Sequence, residues 1–257
     1  MRGKIARKDT ISHMKIAVAV AKNGLRGIFR AYYGELYAGG VEFLPLFPYF
    51  CTAKAKTASG MKLLLMTTPD FFVEEHQILT ALFDEGLDIL HLRKPHTEPV
   101  YSERLLSLLP EEYRNRIVVH DHYYLKNEYR LRGIHLNPRN EPPQKFKGTV
   151  SASATTLSDV QRLKRNVDYV LFTPQMETPG LDARHSDRQI DEWGATKTID
   201  SKVMLMGGVT LDNVGRAKRA GFGGVVLYGA IWNRFDQWGT PDFKDLTGYF
   251  RKIKKLC

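Results

Sequence analysis

The sequence predicts an α/β fold in which eight parallel strands close into a (β/α)8 barrel, or TIM barrel. Apolar runs rich in branched residues alternate with helical patterns from residue 61 onward, these runs number eight, and glycine pairs fall at the last two. Such runs are typical of a parallel sheet covered on both faces, and roughly 200 residues suffice for a small barrel. An open doubly wound sheet is the alternative, which the absence of a G-x-G-x-x-G motif after the first run disfavours.

Each predicted element follows from a local pattern. The predicted strands are the apolar runs at residues 62–68, 88–94, 116–122, 133–137, 149–154, 168–174, 202–208 and 223–231. Helices are predicted where apolar residues recur at three- and four-residue spacing, at residues 72–84, 101–109, 157–164, 211–220 and 243–254. Thr210 opens one helix, Gly221 ends it, and Pro241 lies in the first turn of the last. Between residues 116 and 154 the connections are short and poorly helical.

Residues 1–60 differ from the rest of the chain because they show no sustained helical or strand period. Met61 directly precedes the first predicted strand and has the character of a start methionine. We therefore expect a basic N-terminal extension at residues 1–60, disordered or upstream of the functional start, and a barrel domain at residues 61–257. The alternative is a targeting or nucleic-acid-binding arm, since acid-poor, Arg-containing N-termini can be transit peptides.

The formal charge of +10 would by itself suggest an anionic partner such as nucleic acid. The excess lies at the ends of the chain: residues 1–60 contain 10 Lys and Arg against 3 Asp and Glu, and residues 251–257 contain 4 against none. Residues 61–250 contain 24 against 25 and are nearly neutral. A nucleic-acid partner is therefore not expected for the barrel.

The cysteine count and hydropathy predict a cytoplasmic protein. Cys51 and Cys257 are too few for a disulfide framework or a cysteine-based metal site, which fits a reducing compartment. No apolar run approaches the roughly 20 residues that a membrane-spanning helix needs. The apolar stretch at residues 16–21 is also shorter than a secretory signal core. We expect neither export nor membrane insertion.

In a parallel barrel the reactive side chains lie at the carboxyl ends of the strands. Arg93 and Lys94 end the second predicted strand and could bind a phosphate or diphosphate; two solvated cations are the alternative. In the third, Asp121 lies between His120 and His122. Because adjacent strand residues face opposite sides, the two histidines could share a face without Asp121. This disfavours zinc and leaves Asp121 as a magnesium ligand, direct or through water.

The middle strands end in small and polar residues. Ser151 and Ser153 share a face of the fifth strand and suit hydrogen bonds to a phosphate or substrate, although tight packing would also explain them. Residues 175–187, which include Thr178, form a candidate lid after the sixth strand; a surface connection is the alternative. His135 in the fourth strand is interpreted as a packed structural residue.

The last two strands carry the clearest phosphate signal. Gly207 and Gly208 end the seventh strand, and the apolar run at residues 225–231 follows a turn at Gly223 and Gly224. Glycine lets the backbone approach an anion closely, and amides at a following helix N-terminus point toward it. We therefore predict phosphate binding here, with plain turn glycines as the alternative.

Residues 62–253 resemble the thiamine-phosphate synthase and thiazole tautomerase superfamily. The matching segments near the end are Gly207-Gly208-Val209 with Asp212-Asn213-Val214, and Ala220-Gly221-Phe222-Gly223-Gly224-Val225 with Ala230-Ile231. Those earlier in the chain are His91-Leu92-Arg93-Lys94 for Gln-Leu-Arg-x-Lys, His120-Asp121 for Asn-Asp, Gly133-Ile134-His135-Leu136 for Gly-Val-His-Leu, and residues 168–174 for Asp-Tyr-Val-x-x-Gly-Pro.

The resemblance implies a transferase of thiamine biosynthesis that joins hydroxymethylpyrimidine diphosphate to a thiazole phosphate, releases pyrophosphate and uses Mg²⁺. The diphosphate is expected to leave first, so the protein holds it and stabilises charge. The implied catalytic residues are Arg93, His120, Asp121 and Ser151; the substrate- and phosphate-binding residues Arg93, Lys94, Ser153, Thr178, Gly207, Gly208, Gly229 and Ala230; and the metal ligands Asp121 and Glu141. The implied partners are these two phosphorylated substrates, with a homodimer left open.

Several positions depart from the family pattern. Lys94 directly follows Arg93 instead of lying one residue further on, so strand alternation turns it to the opposite side. The family's second metal aspartate aligns with Asn140, next to Glu141. Its loop lysine aligns with Leu181, and Arg184 is the nearest cationic substitute. Two charged contacts are therefore altered.

These departures keep two other functions open. A thiazole tautomerase-like isomerase would use His185, His91 or His120 as acid or base, although the histidine of that branch aligns with Pro174. A non-catalytic phosphate-binding barrel is the second alternative, which the altered charged positions would permit.

Overall fold

The computed structural model describes residues 60–137, 144, 146–174, 185–235 and 242–257. Its strands are β1 (Lys62–Met66), β2 (Ile89–Leu92), β3 (Ile117–Val119), β4 (Gly133–Leu136), β5 (Thr149–Ala154), β6 (Tyr169–Phe172), β7 (Val203–Met206) and β8 (Gly224–Leu227). Each strand pairs in parallel with its sequence neighbour, and β8 pairs with β1 to close the barrel. The predicted (β/α)8 fold is confirmed.

Helices connect the strands and pack on their outward side chains. They are α1 (Glu75–Asp84), α2 (Pro99–Leu108), α3 (Glu111–Arg114), α4 (Leu125–Glu128), α5 (Leu157–Leu163), α6 (Asp187–Gly194), α7 (Val214–Arg219), α8 (Gly229–Trp232) and α9 (Lys244–Lys254). Local sequence explains several starts: Pro99 occupies the first turn of α2, and Ser186 with Gln189 forms a capping box on α6. Only the single turn α4 lies between β3 and β4, which agrees with the weak helical pattern there.

The end of the barrel differs from the prediction at β8. The apolar run predicts a strand to residue 231, whereas β8 ends at Leu227 and α8 begins at Gly229. Tyr228 lies between them with φ −144° and ψ −94°, and its carbonyl accepts the N–H groups of Ile231 and Trp232, each at 3.0 Å. A short apolar run fits a buried strand and a buried helix equally well, so the run alone does not reveal this break.

Strand residues alternate between the barrel interior and the helices. The interior cluster consists of Leu64, Met66, Ile89, Val118, Tyr169, Leu171, Met204 and Val226. The outward cluster includes Leu63 and Leu65 of β1, packed with Ile78 and Leu82 of α1, all four fully buried. This alternation places the residues that end each strand at one mouth of the barrel.

At the opposite end of the barrel, a carboxylate and a backbone contact join the first strand to the C-terminal part of the chain. Asp88, just before β2, accepts the N–H of Leu63 at 2.8 Å and the ammonium of Lys254 at 2.7 Å. The N–H of Met61 donates to the carbonyl of Cys257 at 3.2 Å. All the residues that make these contacts between the first strand and the end of the chain lie within residues 61–257.

The predictions for Cys51 and residues 1–59 lie outside the described residues, and the division of the chain at residue 60 stays a prediction. Cys257 is a free thiol whose pKa is raised to about 11, chiefly by burial. Within the described residues, no helix combines the length and hydropathy that a membrane span requires.

Candidate active site

A cavity of about 420 Å³ opens at the carboxyl ends of the strands. Its lining residues are Met66, Arg93, His120, His135, Leu136, Asn137, Ser153, Thr173, Met206 and Tyr228. Each of the eight strands contributes at least one of them, either from its last residues or from those that follow. The volume suits a small ligand, since such sites span roughly 300–1,000 Å³. The wall combines a guanidinium, imidazoles and hydroxyls with apolar side chains.

Arg93 carries the positive charge of the described cavity wall. The hydroxyl of Thr67, which follows β1, donates to the carbonyl of Arg93 at 3.0 Å and accepts its N–H at 2.9 Å. Thr67 is buried, so these bonds are shielded from water and fix the two strand ends together. The structure therefore holds Arg93 where its guanidinium can pair with a phosphate or diphosphate.

Lys94 lies on the other side of β2, as strand alternation requires. Its ammonium contacts both carboxylate oxygens of Glu75, at 2.6 and 2.8 Å, and the carbonyl of Asp70 at 2.7 Å. It also lies 4.3 Å from the centre of the Phe71 ring. Burial raises the pKa of Glu75 to about 7 and lowers the pKa of Lys94. The structure thus assigns Lys94 to a buried ion pair and not to the cavity wall, where the resemblance placed it.

Three histidines meet inside the barrel. His120 and His135 line the cavity with stacked rings, whose centroids are 4.1 Å apart at an interplanar angle of 15°. His91 lies beneath them, with Nδ1 2.9 Å from Nε2 of His120. Burial, aided by the positive charge of Arg132, lowers the pKa of His91 to about 3, so this ring is neutral at neutral pH. His135, interpreted from sequence as structural, belongs to the cavity wall.

The two serines of β5 lie at different depths. Ser153 lines the cavity, and its hydroxyl lies 2.9 Å from Nε2 of His135. Ser151 is fully buried one layer lower, with its hydroxyl 2.9 Å from Nδ1 of the same ring. Ser153 is therefore the hydroxyl of this strand that can meet a ligand, whereas Ser151 supports the ring.

Asp121 and His122 follow the end of β3, and the chain bends at His120 and Asp121, so strand alternation does not continue to them. His122 adopts a φ of 53°, and its Nε2 lies 3.0 Å from the carbonyl of Thr97. It does not join His120 in the cavity lining, which corrects the expectation of a shared face. Asp121 is half-buried, with Oδ2 shielded from solvent, directly after the cavity-lining His120.

The predicted phosphate-binding glycines lie at the same mouth. Gly207 and Gly208 follow the cavity-lining Met206 and have φ values of 94° and 58°, a region where glycine avoids the strain of a side chain. The amide of Asn213 donates to the carbonyl of Gly208 at 2.8 Å and fixes this turn. Gly229 begins α8 directly after the cavity-lining Tyr228, and Ala230 follows it in this helix.

Several predicted residues lie outside the described part of the chain or do not line the cavity. Those outside it are Thr178, Glu141, Asn140, Leu181 and Arg184, and their roles stay predictions. His185 is 2% exposed and packs edge-on against Trp193, with ring centroids 4.9 Å apart. It is not among the residues that line the cavity.

Sequence reasoning did not single out Tyr169 as a site residue. Its hydroxyl lies 2.8 Å from Nε2 of His91, across the barrel from β6 to β2. Only closure of the barrel brings these strands opposite each other. Strand alternation gave a partial signal, because Tyr169 shares the inward parity of Leu171 and the cavity-lining Thr173.

Comparison with known proteins adds an independent result. A family model described as thiamine monophosphate synthase matches residues 63–231. The crystal structure of thiamine phosphate pyrophosphorylase from Bacteroides thetaiotaomicron is similar, with 48% sequence identity and a TM-score of 0.70, over 76% of this chain and 97% of that one. Among curated protein sequences, none matches this chain.

More distant structures share the fold. The thiamine phosphate pyrophosphorylase from Pyrococcus furiosus is 16% identical with a TM-score of 0.56, over 76% of this chain and 95% of that one. The 3-hexulose-6-phosphate synthase from Salmonella typhimurium is 14% identical with a TM-score of 0.52, over 76% and 98%. At these identities the likeness shows the barrel alone.

Proposed function

Since this chain belongs to the thiamine monophosphate synthase family, we propose that it joins hydroxymethylpyrimidine diphosphate to a thiazole phosphate and releases pyrophosphate. The observation that carries the proposal is the arrangement of the cavity mouth. Arg93 enters the wall from β2, and the glycine turns after β7 and β8 lie at the same mouth. In the proposal, the two anionic groups of the substrates would bind to separate elements around one cavity.

The proposed reaction transfers a carbon from oxygen to nitrogen. The bond between the pyrimidine methylene and the diphosphate oxygen breaks, and its electron pair leaves with the diphosphate. The thiazole nitrogen then donates its lone pair to the methylene carbon. Arg93 would stabilise the negative charge of the leaving diphosphate, while the apolar side chains of Met66, Leu136 and Met206 would exclude water from the electrophilic carbon.

The thiazole phosphate would bind at the ends of β7 and β8. The positive φ values of Gly207 and Gly208 allow a turn whose backbone comes close to an anion. Gly229 and Ala230 would contribute amides from the first turn of α8. Ser153 and Thr178 would add hydroxyl groups, the former from the cavity wall.

Magnesium fits the donor chemistry at one position of the mouth. Mg²⁺ commonly binds proteins through one or two carboxylates together with substrate phosphates, and Asp121 offers such a carboxylate beside the cavity wall. The three imidazoles offer nitrogen donors instead, which suit other metals. In the proposal Asp121 would hold Mg²⁺, with Glu141 as a second ligand. When bound, the ion supplies positive charge to the diphosphate.

The test is an assay of the full chain with both phosphorylated precursors and Mg²⁺. We expect thiamine phosphate and pyrophosphate to form in equal amounts, with no product when either precursor is omitted. Formation of thiamine phosphate no faster than in the absence of protein would refute the transferase. Binding of the precursors without any reaction would favour a non-catalytic phosphate-binding barrel.

A second candidate function is isomerisation of a thiazole phosphate, as in the tautomerase branch of the superfamily. The observation that favours it is the pair of imidazoles, His120 and His135, in the cavity wall, because histidine side chains are effective acid and base groups. Incubation of the carboxythiazole phosphate alone in deuterium oxide tests this reaction. Deuterium incorporation or conversion to the isomer would support it, and an unchanged substrate would exclude it.

A further inference from the structure

A chain of polar side chains crosses the barrel interior beneath the cavity. Its members are His120, His91, Tyr169, Ser151, His135 and Ser153. They come from five adjacent strands, β2 to β6, and we call them the interior chain. Both ends, His120 and Ser153, line the cavity, whereas His91, Tyr169 and Ser151 are buried below it.

The first half of the interior chain descends from the cavity. Nε2 of His120 lies 2.9 Å from Nδ1 of His91, and Nε2 of His91 lies 2.8 Å from the hydroxyl of Tyr169. The two ring nitrogens of His91 therefore both contact members of the interior chain: Nδ1 contacts His120 and Nε2 contacts Tyr169. His91 and Tyr169 are 0% and 4% exposed, which removes water as a competing partner.

The second half returns to the cavity. Tyr169 and Ser151 are partners in the pairing of β5 with β6, which brings their side chains next to each other. Burial raises the pKa of Tyr169, and a hydrogen bond with the Ser151 hydroxyl partly offsets this effect. Ser151 Oγ lies 2.9 Å from Nδ1 of His135, and Nε2 of His135 lies 2.9 Å from Oγ of Ser153. The second half therefore uses both nitrogens of the His135 ring.

Every member of the interior chain can both donate and accept a hydrogen bond. Hydroxyl groups and neutral imidazoles have this property, whereas an imidazolium only donates. Burial keeps the central groups neutral, because it lowers the pKa of His91 and raises the pKa of Tyr169. All the hydrogen bonds can therefore run from Ser153 to His120 or, with every proton shifted, in the opposite direction.

We propose that the interior chain is a proton relay that connects two points of the cavity wall. When a proton enters at Ser153, each hydrogen-bonded proton moves one link along and one proton leaves the His120 ring. No charge accumulates, and each group exchanges one proton for another. Passage in the reverse direction restores the starting arrangement.

The relay equips the cavity for reactions that the transferase does not need, since that reaction moves no proton between protein and substrate. The matching substrate class is a phosphorylated heterocycle that isomerises, losing a proton at one ring atom and gaining one at another. This use rests on the second candidate function. The relay itself rests only on the geometry of the interior chain.

A metal ion held by the same three histidines is the competing explanation. One nitrogen from each ring lies within 4.8 Å of the others. However, a metal bound by an imidazole lies close to the plane of that ring. The rings of His120 and His135 are stacked nearly parallel with centroids 4.1 Å apart, so one ion cannot lie in both planes without a rotation of a ring. The observed arrangement favours hydrogen bonding.

Nitrogen NMR of the histidine rings in the full chain tests the relay without an enzymatic assay. We expect the ring protons of His120 and His135 to be shared between Nδ1 and Nε2. Tyr169→Phe removes the central link and should change the tautomer populations of both rings. Tyr123→Phe is the matched control, because this buried hydroxyl donates to the backbone carbonyl of His135 at 2.7 Å and not to a ring nitrogen.

A second variant keeps the test valid if Tyr169→Phe does not fold. Ser153→Ala removes the hydroxyl at one end of the interior chain. If the chain is continuous, this change should alter the tautomer population of His120 at the other end. Unchanged tautomer populations of His120 in the folded variants would overturn the relay. Ring signals that convert to a single zinc-bound form with one equivalent of Zn²⁺ would also overturn it. None of these results depends on thiamine phosphate formation, so failure of the relay and failure of the proposed transferase are distinguishable.

Discussion

At the residue scale, two adjacent cations have opposite roles. Arg93 lines the cavity, while Lys94 turns outward from the barrel into a buried pair with Glu75. Alternation along β2 separates them, since successive side chains of a strand face opposite sides. The resemblance assigned both to diphosphate, but the structure gives Lys94 a part in stability.

Replacement of Lys94 by Met should therefore destabilise the fold. The substitution leaves the Glu75 carboxyl group buried without its cation, which typically costs about 3–5 kcal/mol. The double variant Glu75→Leu, Lys94→Met removes both charges and should recover most of the loss. Urea unfolding of the three proteins measures the difference. An unchanged free energy of unfolding together with a raised KM for the diphosphate substrate would instead place Lys94 in the site.

The buried His91 should make stability depend on pH. Its pKa is lowered to about 3 in the folded chain, whereas an unfolded imidazole protonates near pH ~6.5. The unfolded state thus binds more protons between these values, and the free energy of unfolding should fall as pH is lowered through that window, by up to ~1.4 kcal/mol per unit. His91→Gln should flatten this dependence, measured by urea unfolding at several pH values. His76→Gln, in α1 at the surface, should leave it unchanged; equal slopes in all three proteins would contradict the account.

Residues that depend on strand ends were predictable, and those that depend on closure were not. Arg93, Ser153 and the glycines after β7 follow from reading each strand end in turn. Tyr169 acquires its contact with His91 from a strand 78 positions away in sequence. Local sequence patterns extend over only a few residues, so this contact can be seen only in the folded barrel.

At the element scale, two glycines illustrate different constraints. A methyl group on Gly133 at the start of β4 would lie 1.9 Å from the carbonyl oxygen of Thr149 on β5. Glycine is therefore required by the close approach of two backbones. Gly248 lies inside α9, and a methyl group there would meet no atom within 4 Å.

These environments predict opposite effects of alanine. Gly133→Ala would push β4 away from β5. It should lower the free energy of unfolding by about 3 kcal/mol or more, at or above the upper end of the range for overpacked cores. Gly248→Ala should raise it by about 0.5–1 kcal/mol, because alanine favours a helix interior. Thermal and urea unfolding provide the comparison. Equal effects of the two substitutions would contradict the packing of β4 against β5.

The elements themselves follow largely from the sequence, with errors at their ends. Branched apolar runs indicated all eight strands, yet the run through Ile231 hid the break at Tyr228. Ile231 and Trp232 are buried in α8, and a buried strand would call for the same apolar residues. The carbonyl contacts of Tyr228 decide between them, and these form only in the folded chain.

At the scale of the whole molecule, the described barrel closes without residues 1–59. β1 pairs with β8, and Met61 contacts Cys257 through the backbone. Most of the formal charge of +10 lies outside residues 61–250, which are nearly neutral. The part of the chain that forms the barrel and its cavity therefore has almost no net charge.

A chain of residues 61–257 should accordingly fold and retain the activity of the full chain. We expect the same unfolding midpoint and kcat/KM within about twofold, because the described cavity-lining residues and closing contacts all lie within this range. Circular dichroism melting and the precursor assay measure these quantities. A melting temperature lowered by more than about 2–4 °C would correspond to a loss of about 1 kcal/mol or more and would show that residues 1–60 support the barrel.

Replacement of Arg93 by Ala tests the central claim most directly, in the assay that couples the pyrimidine diphosphate to the thiazole phosphate with Mg²⁺. Loss of the guanidinium from the cavity wall should lower kcat/KM by about 10²-fold or more, as removal of a charge-stabilising group does. Arg162→Ala, on the surface of α5 in an ion pair with Asp159, is the matched control and should retain full activity. Equal rates of thiamine phosphate formation in the wild-type chain and both variants would contradict a diphosphate site at this cavity.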